Sequence, residues 1–268
     1  MGTPAQMQRL NPPAPAPRTV PHLWSYDTIR PYLLRAGALI TEKQAERRVL
    51  MLTNPTREAP YTTDTLYAGL QLVQPRETAP AHRHTAFACR FIIEGRGGFT
   101  ARPRDVIVTP TWNWHAYGKK GADEEGGDDQ PVIWLDRLNL LNFMYFPIHF
   151  VKHYASSRHP AKDKNNLFDR VIGASAERLE AGSESPVMRE TASSVYHVIE
   201  GSGHSKIGES TISWKQGDTF CIPAWHRYQH FSDEGVKVSL YRFDDKPMLN
   251  ALGFYRAEGD DMEKFVSG

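Results

Sequence analysis

Two histidines, His82 and His84, flank one arginine in the run Pro80-Ala81-His82-Arg83-His84-Thr85. A third, His115, follows 31 residues after His84 and closes the run Thr109-Pro110-Thr111-Trp112-Asn113-Trp114-His115. Strand side chains alternate between two faces, so residues at i and i+2 point the same way. A neighbouring strand that presents His115 would complete a face of three imidazole nitrogens on one metal ion. Three protein ligands leave coordination positions open, as catalysis on a metal requires. All-nitrogen ligation suits Fe(II), Zn, Cu, Ni or Mn. Arg90 lies six residues after His84 and shares its face on a regular strand. A guanidinium there would hold an anion beside the metal through two parallel hydrogen bonds. The simpler alternatives are an exposed arginine or one paired with Glu94.

The elements that must position these residues come from a repeat. Residues 79–86 match 185–192 at an offset of 106, and Glu94-Gly95 matches Glu200-Gly201 at the same offset. Residues 105–112 match 218–225 at an offset of 113. The chain therefore holds two copies of one β unit. The second copy has Met188, Glu190 and Tyr228 where the first has the three histidines. Ligands kept in one copy mark a site, and the other copy serves as scaffold. Short apolar runs bounded by Gly, Pro and Asp read as strands, as at 195–199, 211–214 and 219–222. This density of strands, without long helices between them, predicts an all-β chain of two tandem jelly-roll barrels, the cupin type, with a short helical N-terminal segment. A helix is expected from Tyr26 to Ala36, with Pro31 near its first turn. A second should start at Thr41, with Gln44 completing a capping box, and end near Arg48.

The expected organisation is a disordered proline-rich tail over 1–21, a helical arm over 22–60, a metal-binding barrel over 61–150 and a second, metal-free barrel over 151–268. Residues 119–130 read as a charged, glycine-rich surface loop. With 268 residues and a formal net charge of +1, the chain lacks the basic footprint of a nucleic-acid or anionic-membrane binder. No apolar run reaches the roughly 18 residues of a membrane span, and no signal-type apolar stretch follows Met1. A cytoplasmic protein is expected, with Cys89 and Cys221 as buried free thiols.

Several ordered motifs together are more specific than the histidine pair. Ala45-Glu46-Arg47-Arg48-Val49-Leu50, Thr65-Leu66-Tyr67-Ala68-Gly69-Leu70-Gln71, the His82–His84 run, Arg90-Phe91-Ile92-Ile93-Glu94-Gly95, the run ending at His115, and Trp134-Leu135-Asp136 resemble gentisate 1,2-dioxygenase and its salicylate and 1-hydroxy-2-naphthoate relatives. The resemblance covers about residues 23 to 256. It implies a bicupin with one Fe(II) per chain held by His82, His84 and His115. It implies an aromatic acid with a hydroxyl beside its carboxyl group, chelating the iron through both, and a ring opened by O2 between the two carbons that carry them. Gentisate would give maleylpyruvate. Arg90 and Gln71 match substrate-contacting positions of the family, and Arg48 is favoured over Arg47 for another. The resemblance further suggests a homotetramer.

Three departures stand out. Tyr117 replaces a family histidine thought to contact substrate or help proton transfer. A phenol can still donate a hydrogen bond but is a poor base at neutral pH. Tyr67 stands where tryptophan is common. Gly97 to Asp105 spans 8 residues against 15 from Gly203 to Asp218, a clipped hairpin in the first barrel. Two rivals follow: a dioxygenase for another ortho-hydroxy aromatic acid, such as salicylate or a hydroxynaphthoate, and a catalytically impaired cupin that only binds a small aromatic acid.

Overall fold

The computed structural model describes residues 3, 10–41, 44, 48–96, 101–124, 127–155 and 172–259. After strand β1 (His22–Trp24) and helix α1 (Tyr26–Leu39) come β2 (Arg48–Met51), β3 (Tyr67–Val73), β4 (Thr78–His84), β5 (Ala88–Glu94), β6 (Val106–Thr109), β7 (His115–Gly118) and β8 (Val132–Leu138), then α2 (Asn142–Tyr145) and β9 (Val151–His153). A five-stranded sheet, β2-β3-β8-β5-β6, faces a three-stranded one, β7-β4-β9. This is the first jelly roll.

The second jelly roll uses β10 (Gly173–Leu179), β11 (Ser194–Glu200), β12 (Ser202–Ile207), β13 (Ser210–Lys215), β14 (Thr219–Ile222), β15 (Tyr228–Ser232) and β16 (Val238–Asp244), with α3 (Lys246–Ala251) after them. Its sheets run β1-β14-β11-β16-β10 and β13-β12-β15. The expected all-β, two-cupin fold is what the chain forms. The three expected second-copy strands are present, the first two one residue longer at each end.

Alternation decides which side chains reach each interior. Ala68, Leu70 and Leu72 of β3, Cys89 and Phe91 of β5, and Ile133 and Leu135 of β8 join one buried cluster with Val195, Cys221, Tyr241 and Phe243 of the second barrel. The two large sheets thus pack back to back, and Phe91 stacks on Tyr241 at 4.8 Å. The intervening residues Gly69, Gln71, Arg90, Trp134 and Asp136 must then face the interior of the first barrel. Tyr196, Val198, Phe220, Ile222, Tyr228 and Leu240 form the equivalent inner cluster of the second.

The N-terminal segment straps the barrels together. Arg18 and Thr19 donate backbone hydrogen bonds to Asp64, and Val20 exchanges two with the Asn54 side chain. β1 then adds to the second barrel by pairing with β14. Tyr26 reaches both units: its backbone N–H donates to Asp218 and its hydroxyl to Glu94. Helix α1 runs three residues past its expected end, and Pro31 falls in its second turn rather than its first. Thr41 and Gln44 form the expected reciprocal capping box. Residues 42, 43 and 45–47 lie outside the described residues, and Arg48 already belongs to β2.

The two barrels differ beside β7. In the second barrel the β12–β13 hairpin lies against β15, with Ser205 opposite His230. In the first barrel β7 occupies the place of β15, and among the described residues it pairs only with β4. Residues 97–100 lie outside the described set. Tyr117, at the position of His230, is half-buried, whereas His230 is 1% exposed.

Candidate metal centre

β4 and β7 bring the three histidines together. His82 lies directly opposite His115, and a bulge between Ala79 and His82 shifts the register by one residue. Without it His115 would stand opposite Ala81, on the face that His82 and His84 do not share. The imidazole rings lie 4.1, 4.8 and 5.4 Å apart between centroids. Their candidate ligand atoms all fall within 4.8 Å of one another.

Each ring is oriented by a nearby backbone carbonyl. Nδ1 of His82 meets Pro80 O at 2.8 Å, that of His84 meets Ala86 O at 2.6 Å, and that of His115 meets Asn113 O at 2.9 Å. A carbonyl accepts only from N–H, so Nδ1 carries the proton and Nε2 presents its lone pair. His115 Nε2 is buried with no hydrogen-bond partner, an orphan that a metal ion would satisfy. Burial, then the positive charge of Arg90, then His82, hold the His115 pKa far below the ordinary imidazole range. It stays neutral, the form a metal ligand needs. These residues fit a divalent ion.

Arg90 sits beside this group and is 2% exposed. Its partner is Asp136, directly across on β8, not Glu94. Arg90 Nε lies 3.2 Å from Asp136 Oδ1, and Nη1 donates to Thr109 Oγ1 at 2.9 Å and to Tyr117 Oη at 2.6 Å. The two hydroxyls also share a hydrogen bond at 2.8 Å. Burial alone would lower the Arg90 pKa; attraction to Asp136, with smaller pulls from Tyr117, Cys89 and Tyr67, outweighs it and leaves the guanidinium firmly charged. Glu94 instead binds Arg30 through two contacts at 2.7 and 2.8 Å.

The other predicted residues divide. Gln71 is buried beside Trp134 across β3 and β8, and both Gln71 Oε1 and Trp134 Nε1 lack hydrogen-bond partners. Tyr67 is buried against Ala88 and Leu138. Its hydroxyl lies 2.9 Å from where a Cβ on Gly69 would stand, so the missing side chain at 69 keeps that space. Arg48 is engaged elsewhere: its guanidinium pairs with both carboxylate oxygens of Glu77 and with Ile40 O. That arrangement ties β2 to the turn before β4. Arg47 lies outside the described residues. Asp136, Thr109 and Trp134 were missed as members of the group. Their signal was available: Trp134-Leu135-Asp136 alternates on a strand, so its first and third residues share a face.

No family model matches the chain. A gentisate 1,2 dioxygenase 1 of Aquipseudomonas alcaligenes is 29% identical, the match covering 90% of this chain and 88% of that protein. A 5-aminosalicylate 1,2-dioxygenase of Comamonas sp is 27% identical, covering 89% of this chain and 81% of that one. The crystal structure of a salicylate 1,2-dioxygenase from Pseudaminobacter salicylatoxidans superposes with a TM-score of 0.83 at 24% identity, covering 96% of this chain and 94% of that one. The first of these matches runs over 313 residues, more than the 268 of this chain. That relative therefore carries stretches that this chain skips.

Proposed function

We propose that this chain, an aromatic ring-cleaving dioxygenase related to the gentisate 1,2-dioxygenases, holds one Fe(II) on His82, His84 and His115 and opens the ring of gentisate to give maleylpyruvate. The observation that carries this reading is the three oriented imidazoles beside the buried, charged Arg90. The bound iron would supply an electron path between a chelated ring and O2, and both oxygen atoms would enter the product.

The protein's own residues would do the rest. Arg90 uses Nε and Nη1 on Asp136, Thr109 and Tyr117, which leaves Nη2 to donate to the substrate carboxylate. Asp136 keeps the guanidinium aimed, as a charged partner across the sheet. Tyr117 Oη closes a hydroxyl chain with Thr109, and its phenol can donate to a ring hydroxyl. The buried Gln71 amide lines the same interior and offers a further polar contact, and Tyr67 borders the ring space above Gly69. The packed five-stranded sheet excludes water behind them, which strengthens every charge interaction in the site.

The test is oxygen consumption by Fe(II)-loaded protein across a panel of gentisate, salicylate, 5-aminosalicylate and 1-hydroxy-2-naphthoate. Uptake with gentisate, and about one iron per chain that His82→Ala abolishes, is the expected result. Uptake confined to another acid would move the substrate assignment. Binding of these acids with no uptake from any would leave a carrier of aromatic acids instead.

A further inference from the structure

We infer that Arg83, the residue between the two histidines of β4, is a positioning residue that sets the third imidazole of the metal centre from the outer face of the barrel. The inference rests on the metal reading of His82, His84 and His115. Alternation sends the Arg83 side chain away from the interior that its two neighbours face. There its guanidinium carbon stands 4.4 Å from the Trp112 ring and 4.7 Å from the Trp114 ring. Both indoles belong to the turn that delivers His115, and Trp114 is its immediate neighbour. Guanidinium groups are attracted to indole faces at this range. The same turn is tied to β4 through the backbone: Trp112 N–H donates to His84 O at 2.9 Å. Trp112 adopts a left-handed conformation to do so, with φ of 65°, a strained geometry for a bulky residue that its surroundings must hold.

The second barrel shows which part of this device belongs to the fold. Arg189 stands at the position of Arg83, and its guanidinium carbon is 5.0 Å from the Trp225 ring. Trp225 also has a left-handed φ, 62°, and its N–H donates to Glu190 O at 2.7 Å. One arginine, one left-handed tryptophan and one backbone link therefore recur in both copies. The second indole does not recur, because the counterpart of Trp114 is Arg227. Only the copy with three histidines grips its arginine between two rings, and the added ring is the one adjoining His115. A bond on the outer face can fix the approach of β7 to β4 without touching the ion. Small displacements of a ligand are costly to a metal site, so the doubled clamp has its effect on metal affinity.

The test compares Arg83→Met with Arg189→Met, each as the full chain stripped of metal and titrated with Co(II). Affinity is read from the titration, ligand geometry from the visible Co(II) spectrum, and stability from thermal melting of the apo protein. We expect Arg83→Met to weaken Co(II) binding ten-fold or more and to change the spectrum. Arg83→Lys should recover part of the affinity, since an ammonium also binds an aromatic face. Arg189→Met should lower the melting temperature while Co(II) affinity stays at the wild-type value. If Arg83→Met binds Co(II) as wild type does, or if both variants weaken it equally, the arginine is a general brace of the fold and the inference fails. If the wild-type chain binds no Co(II) or Fe(II), the metal reading itself fails and takes this inference with it.

Discussion

Replacing Arg90 by methionine should separate two roles of one side chain, pairing with Asp136 and receiving the substrate carboxylate. The pair is almost fully enclosed, with side-chain exposures of 2% and 3%. Deleting the guanidinium removes the paired cation from a buried carboxylate, a change that typically costs about 3–5 kcal/mol. For a chain of this size each kcal/mol shifts Tm by roughly 2–4 °C, so Tm should fall by roughly 6–20 °C. Adding Asp136→Asn to that variant removes the buried carboxylate charge as well and should recover most of the loss. Substrate affinity should not recover. Truncating one partner of a buried charge pair costs about 2–5 kcal/mol of binding, at least roughly 30-fold in Kd. The assay is differential scanning calorimetry of the three proteins, with anaerobic titration of gentisate into their Fe(II)-loaded forms. A double variant that regains both stability and affinity would refute Arg90 as the carboxylate receptor. A single variant that melts with the wild type would refute the buried pair.

Three further outcomes are expected. Tyr117→Phe removes the hydroxyl that accepts from Arg90 and bonds Thr109. A hydrogen bond to a charged group is worth about 1.5–3 kcal/mol, so kcat/KM should drop roughly 10- to 100-fold with iron content unchanged; an unaltered kcat/KM sinks this role. Arg242→Met strips Glu190, Asp244 and Glu177 of the cation that lies 2.5, 3.1 and 3.5 Å from them. That should cost about 3–5 kcal/mol of stability without loss of iron, and an unshifted melting curve would contradict it. Asp245 bridges the barrels by accepting from Thr65 Oγ1 at 2.5 Å and Ser193 N–H at 2.9 Å. Burial pushes its carboxyl up to about 7 from 3.8. A folded-state pKa above the unfolded one gives stability that is whole below pH 3.8 and is lost as pH rises through 7. Relative to wild type, Asp245→Asn should therefore gain stability between pH 5 and 8, and a constant Tm difference across that range argues against it.

Much of this is legible in the sequence, for physical reasons that differ by residue. The histidine triad was legible because strand alternation is rigid and the repeat supplied an internal control at Met188, Glu190 and Tyr228. The bulge between Ala79 and His82 that sets His115 opposite His82 is not, since a bulge adds a residue without any fixed signature. Arg90 falls on the expected face, but Asp136 across the sheet was not among the partners weighed for it; the one named, Glu94, binds Arg30 instead. Cross-strand partners depend on register between distant segments, which the periodicity of one strand does not encode. Arg48 was drawn toward the substrate by family likeness, whereas Glu77, 29 residues on, takes its guanidinium. The strap formed by β1 was also illegible: three residues carry no period long enough to say which sheet they join.

The two interiors explain why one barrel suits a metal and the other does not. Their strand rows correspond: Arg90 faces Asp136 in the first, and Tyr196 faces Arg242 in the second. In the second barrel the positions of the three histidines still touch, with Tyr228 Oη 3.6 Å from Met188 Sδ and 3.2 Å from Glu190 Oε1. Arg242 binds Glu190 there, so the one carboxylate at these three positions is already engaged, and a thioether and a phenol are poor ligands for a divalent ion. In the first barrel Arg90 and Asp136 cancel, and the imidazoles are neutral ligands. A divalent ion then leaves two positive charges to balance in a buried space, and an unbalanced buried charge is strongly penalised. An acid that chelates through both carboxylate and ionised ortho-hydroxyl brings two negative charges, whereas a simple carboxylate brings one. Charge balance alone therefore favours ortho-hydroxy aromatic acids over other carboxylates of the same size.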